Sequence, residues 1–149
     1  MSLVALLRTQ YKDLGALMRL LEQEREVLAV GTIDGELLQR IAGDKQALLA
    51  ELEETEQERR AAQAADGYPA GDAGARQAAR DAGCLRGWDA VRAASERAAH
   101  LNHVVGTMLN MRLQHNRRML DLIHSISEKT LYDTRGRTGA QPSQLSTSA

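Results

Sequence analysis

Residues 6–43 read LLRTQYKDLGALMRLLEQEREVLAVGTIDGELLQRIAG. Leu7, Leu14, Leu17, Leu21 and Leu28 fall on one seam, spaced by three, four or seven residues, and Leu3 extends it backwards. That is the period of a helix face turned to a partner, not the alternation of a strand. Gln10 and Glu24 interrupt the seam. Val4, Tyr11 and Met18 form a second row beside it, which predicts an apolar face broader than a strict coiled-coil stripe. A helix from residue 2 to about 30 would be roughly 40 Å long. VGTIDGE then breaks the pattern. Gly31 is the expected C-terminal cap, and Thr32 or Asp34 the cap of the next helix. A connection this short implies an antiparallel hairpin, and so an all-α fold.

Working outward, the second helix is expected over about 33–65. Leu37, Ile41, Leu48 and Leu52 share a face, with Leu38 and Leu49 beside it. Beyond Thr55 the residues are charged, Gln or Ala, so EQERRAAQAA is expected at the surface or frayed. Residues 61–87 hold ten Ala and five Gly together with Pro69. DGYPAGDAG carries several turn signals at once, and ARQAARDAG suits at most a short, weakly packed helix. A mobile connector is expected over about 65–87.

A third long helical pattern runs from Trp88 to about Thr130. Leu101, Val105, Met108, Met119, Leu122 and Ile126 occupy one seam, and Leu109, Leu113, Leu120 and Ile123 the neighbouring one. Near its end MLDLIHSI packs five large apolar residues into eight. The helix is thus most hydrophobic where a bundle ordinarily frays. After Gly136 the polar, Ser/Thr-rich tail 137–149 is expected to be disordered. The expected architecture is long antiparallel helices forming a three-helix bundle or coiled coil, in one domain over 1–136.

Composition narrows the function. With 149 residues, 26% charged and a net charge of -1, the chain lacks the basic excess that nucleic-acid binding requires. No apolar run approaches the roughly 20 residues of a membrane span. The apolar N-terminus lacks a basic leader region and continues at helical spacing, so it reads as helix rather than signal peptide. Cys84 is the single cysteine, which excludes an internal disulfide and fits a reducing, cytoplasmic setting. The chain has no Phe, one Trp and three Tyr, which suits helices packed along narrow seams.

No assembled active site is legible, and the chain reads as a binding protein rather than an enzyme. His100 and His103 can share a helix face, but Glu96 lies four residues before His100, not the three of a di-iron pair. His-Glu-x-x-His is absent. A histidine phosphotransfer site would need H-x-x-K-G, and none of the four histidines has the lysine. No metal or cofactor is implied. Cys84 would need an activating base to serve as a nucleophile. Asn116, on the apolar side of the third helix, is either a register-fixing polar residue or a solvated one at the boundary. The run ELEETEQERR suits intrahelical ion pairs, with a docking patch for a basic partner as the alternative.

LLRTQYKDLGALMRLLEQEREVLAVG, DGELLQRIAGDKQALLAELEETEQERR, Trp88 opening the last helix, and LNHVVGTMLNMRLQHNRRMLDLIHSISEKTLYDTRGRTG follow one another in an order that resembles the FlgN family of flagellar export chaperones. The resemblance covers about residues 3–139. Its most specific parts are KQALLAEL at 45–52, the Asn-containing last helix, and LYD near a glycine. Residues 61–87 depart from the family's pattern and look lengthened. The resemblance implies a bacterial cytosolic chaperone for type III export, with the hook-filament junction proteins FlgK and FlgL as clients. It implies that the C-terminal helix holds them and that the export gate protein FlhA receives the loaded complex. A tyrosine near the end of that helix is associated with gate docking in the family, and Tyr132, with Leu131 and Asp133, is the matching position.

Independently of the family, Met119, Leu120, Leu122, Ile123 and Ile126 form the surface a helix-in-groove partner would need. Left empty, such a surface favours weak self-association. The alternatives are a chaperone of another secretion substrate such as flagellin, or a coiled-coil oligomerisation scaffold without a client.

Overall fold

The structure is a computed structural model that describes residues 2–138, with side chains described through residue 129. It is all helical, with no strand among the described residues. The helices are α1 (Leu3–Ala29), α2 (Gly35–Ala65), α3 (Asp72–Asp81) and α4 (Leu85–Thr138). The chain divides into two units, Met1–Leu109 and Asn110–Ala149, and α4 contributes to both.

In the first unit α1, α2 and the start of α4 enclose the core. Leu7, Leu14, Leu17, Leu21 and Leu28 of α1 are buried against Trp88, Val91, Ala94, Ala98, Leu101 and Val105 of α4. Leu38, Leu48 and Leu52 of α2 close over this cluster partly buried. Alanines on α4 let the backbones approach, and leucines on α1 fill the space between. The second row beside the α1 seam divides: Met18 packs partly buried against the core, and Tyr11 is 53% exposed.

The two interruptions of the α1 seam are buried, and each has a partner on α2. Gln10 Nε2 donates to Glu56 Oε2 at 2.7 Å, and Lys45 Nζ donates to Glu24 Oε2 at 2.7 Å. Polar residues in an apolar seam cost burial energy unless paired, so these two pairs admit one antiparallel register of α1 on α2.

Ser2 opens α1, its hydroxyl accepting from the Ala5 N–H, and Asp34 opens α2, its carboxylate accepting from the Leu37 N–H. Thr32 is therefore not the cap. Gly31 is not a left-handed cap either, because α1 ends through extended backbone at Val30 (φ -81°, ψ 157°). The left-handed caps come later. Gly67 (φ 82°) ends α2, with Tyr68 N–H bonded to Gln63 C=O and Gly67 N–H to Ala64 C=O. That pattern is a Schellman motif.

The end of α2, expected at the surface or frayed, remains helical through Ala65, with Thr55, Arg59 and Gln63 buried. The stretch expected as a mobile connector holds α3, whose Ala75 and Ala79 join the core. Gln63 Nε2 donates to the carbonyls of Pro69 and Gly71 and so ties the intervening loop to α2. Gly74 sits against that loop, and a Cβ there would lie 1.8 Å from the Pro69 carbonyl oxygen.

The second unit, within its described residues, is the remainder of α4. This helix starts at Leu85 rather than Trp88 and continues past Thr130 and Gly136 to Thr138. The tail from 139 onward lies outside the described residues.

Candidate functional site

Two features stand out: the apolar face of the second unit, and a polar network beside a groove in the first. On the second unit, every residue from Asn110 to Lys129 is exposed apart from half-buried Arg112. Met119, Leu120, Leu122, Ile123 and Ile126 range from 49% to 61% exposed. All five lie within two and a half turns of helix, and Leu113, also exposed, continues the face backwards. Met119, Ile123 and Ile126 lie on the centre of this face, with Leu120 and Leu122 flanking it, by the 100° step of a helix. The structure thus brings the five expected residues together as a helical surface. It is too wide for a two-stranded seam. Asn116 is exposed on the same face. The backbone at Leu131, Tyr132 and Asp133 is helical, continuing α4, and their side chains lie outside those described.

The first unit carries the network that the sequence reading missed. Glu56 is its hub. Arg59 Nε and Nη2 donate to its two carboxylate oxygens at 2.9 and 2.7 Å, Gln10 donates at 2.7 Å and Arg60 at 3.1 Å. Arg59 also donates to Gln63 Oε1 at 2.8 Å, and its guanidinium lies 4.9 Å from the Trp88 ring centroid. Burial pushes the Glu56 carboxyl up, but the hydrogen bonds from Arg59, Gln10 and Arg60 together outweigh it and hold it at about 2. The available signal was the spacing Glu56–Arg59–Arg60–Gln63, which puts this set on adjoining turns of one helix.

Beside this network lies a groove of about 440 Å³. Leu14 and Leu17 of α1 form its floor, Leu49 and Leu52 of α2 one wall, and Val91 and Ala98 of α4 the other. Gln10, Glu56 and Trp88 stand together on its lining.

The other candidate residues do not assemble. All four histidines are exposed, and among the described residues no three His, Cys, Asp or Glu side chains come together to hold a metal ion. Burial pushes the Cys84 thiol up, away from the reactive thiolate. No helix among the described residues is long and apolar enough to cross a membrane.

The model of the family described as FlgN protein matches residues 1–140. This chain belongs to the FlgN family. It is 32% identical over 125 residues to the flagella synthesis protein FlgN of Salmonella typhimurium strain LT2, covering 84% of this chain and 81% of that one. The flagella synthesis protein FlgN of Salmonella typhi matches to the same extent, and that of Escherichia coli K12 is 26% identical over 125 residues, with the same coverage. No solved structure matches. FlgN membership places the chain among flagellar export chaperones.

Proposed function

We propose that this chain is a cytosolic chaperone that holds the hook-filament junction proteins FlgK and FlgL through Met119, Leu120, Leu122, Ile123 and Ile126, prevents their premature assembly, and delivers them to the export gate protein FlhA. The observation that carries this reading is the exposed apolar face between residues 119 and 126. A helical face that wide, with no core of its own to fill, is stabilised by an apolar partner that covers it. Amphipathic helices of a client supply such a cover.

The test is a pull-down of FlgK and of FlgL by full-length protein, wild type against the double variant Leu122→Asp, Ile123→Asp. Two carboxylates in an apolar interface weaken binding by at least about 3 kcal/mol, more than a hundredfold. Both positions are exposed in the free chain, so helicity by circular dichroism stays at the wild-type level. Undiminished capture by a folded variant removes the reading. Capture of flagellin alone, or of no client, selects the two alternatives.

Leu131, Tyr132 and Asp133 are the proposed gate-docking residues, on the turns that follow the client face. A tyrosine suits a transient contact because its ring supplies area and its hydroxyl direction at low entropic cost. Tyr132→Ala leaves client affinity within about 1 kcal/mol. It reduces recovery of the loaded complex on the cytoplasmic domain of FlhA. Equal recovery of both proteins on FlhA removes the docking role.

A further inference from the structure

The apolar face of the second unit is not uniform along its length. Arg112 precedes Met119 by seven residues and Asn116 precedes Ile123 by seven, so each stands within about 20° of the line of a central apolar residue. Asn116 is exposed and Arg112 half-buried. From Met119 to Ile126 the centre of the face is apolar. Charge divides at the same place. Residues 110–118 hold three arginines and no acidic residue, and residues 119–128 hold Asp121 and Glu128 and no Lys or Arg.

This order decides what can cover the face. A second copy of the same segment has two ways to pair. In the antiparallel pair the acidic half of each copy covers the basic half of the other, and the charges match. Arg112 then comes opposite Ile126, and Asn116 opposite Leu122 and Ile123. A guanidinium and a carboxamide, twice per pair, lose water without gaining a partner. In the parallel pair Asn116 meets Asn116, which is a good match. Arg112 then meets Arg112, and the arginines of one copy run beside those of the other, so like charges oppose the contact. Neither arrangement satisfies both residues.

A helix of different sequence satisfies both. It needs a carboxylate opposite Arg112, a hydrogen-bonding side chain opposite Asn116, and an apolar stripe over Met119, Ile123 and Ile126. A single polar residue in an apolar seam selects partner and register in this way. We propose that Arg112 and Asn116 bar the face from a second copy and admit a client helix that is acidic where it covers residues 110–118. The client half of this inference rests on the reading of the face as a client site. The barrier to self-pairing does not, and it is measured on the chain alone.

The first measurement is sedimentation equilibrium of the full-length wild type and Asn116→Leu, from low micromolar to several hundred micromolar. Leucine relieves the mismatch at two places in the antiparallel pair, so the variant pairs about thirtyfold more tightly than the wild type. Equal association of the two proteins overturns the barrier. So does a wild type that is already dimeric at low micromolar concentration.

The second measurement is the rate and strength of FlgK and FlgL capture by immobilised full-length protein. Asn116→Leu weakens capture about tenfold, because the hydrogen-bonding side chain of the client is left without a partner. One substitution thus strengthens self-pairing and weakens client binding, which a change in helix stability alone does not do. Arg117 and Arg118 are exposed beside the face and act through their field. Arg117→Glu with Arg118→Glu slows capture about tenfold at 0.1 M salt and has little effect at 1 M, where charges are screened beyond about 3 Å. Arg19→Glu with Arg40→Glu makes the same change of net charge on the exposed surface of the first unit and leaves the rate within about twofold. Capture that is as strong in Asn116→Leu as in the wild type, or as fast at 0.1 M salt in the Arg117, Arg118 variant, overturns the client chemistry and leaves the client site standing. A wild type that captures neither client overturns the client site and the partner chemistry together.

Discussion

Glu56→Gln tests whether the buried polar network holds the first unit together. Arg59 has 7% of its side chain exposed and gives two charge-assisted hydrogen bonds to Glu56. With Gln in place, one oxygen becomes an NH2 group that faces a donor of Arg59, and the guanidinium keeps one bond to the remaining amide oxygen beside Gln63 and the Trp88 ring. Losing one charge-assisted bond and the charge behind the other costs about 3 kcal/mol. Glu56 retains 35% exposure of its side chain, so water replaces part of that loss and the expected cost is about 2 kcal/mol. For a unit of this size that lowers the melting temperature by about 10 °C.

The same substitution changes the acid response. The carboxyl titrates at about 2 in the folded chain against 4.5 for the ordinary group. The unfolded state therefore binds the proton first. The contribution of Glu56 is fully present above pH 4.5 and is lost as pH falls towards 2. Thermal melts at pH 7 and pH 3, followed by circular dichroism and Trp88 fluorescence, should separate wild type from variant by about 10 °C at pH 7 and by about half that at pH 3. Melting within 1–2 °C of wild type at pH 7, inside the scatter of neutral surface substitutions, refutes a stabilising role for the network.

Gly74→Ala forces a methyl group into the Pro69 carbonyl and beside Gln63 Nε2, which displaces α3 and costs about 2–3 kcal/mol in urea unfolding; a change under 0.5 kcal/mol means that the loop yields freely. Asp13 is buried and its Oδ2 has no hydrogen-bond partner, so Asp13→Leu, nearly equal in shape, should raise stability by about 1–2 kcal/mol in the same assay, and a loss of stability would assign that carboxylate a stabilising contact. Limited trypsin digestion measures whether 65–87 moves in solution. The buried face of α3 and the pairing of Arg76 with Asp89 predict slow cleavage after Arg76 and Arg80, and early cleavage there means that α3 opens readily.

The helices and the exposed apolar face of α4 were legible for one reason: both are periodic. Leu7 to Leu28 marks a buried stripe, and MLDLIHSI marks an apolar surface, wherever the rest of the chain goes. The caps were half legible, because a motif such as VGTIDGE offers several candidates and only backbone geometry chose Asp34. Composition did not reveal how residues 72–81 pack. Ala and Gly are poor core fillers, but they pack closely when helices approach, as Gly74, Ala75 and Ala79 do.

By itself, the sequence determined the helical class, the hairpin of the first two helices, and the dense apolar end of the last. Each follows from local spacing along one chain. Tertiary structure alone decided what Gln10, Glu24 and the charged end of α2 are for. As sequence they are interruptions and a solvated run. In the fold Gln10 meets Glu56 and Glu24 meets Lys45, residues 46 and 21 positions away along the chain. Arg59 folds over Trp88. A polar residue is stable in a core only with its partner, and pairing between distant residues is set by how helices pack, which local periodicity does not encode.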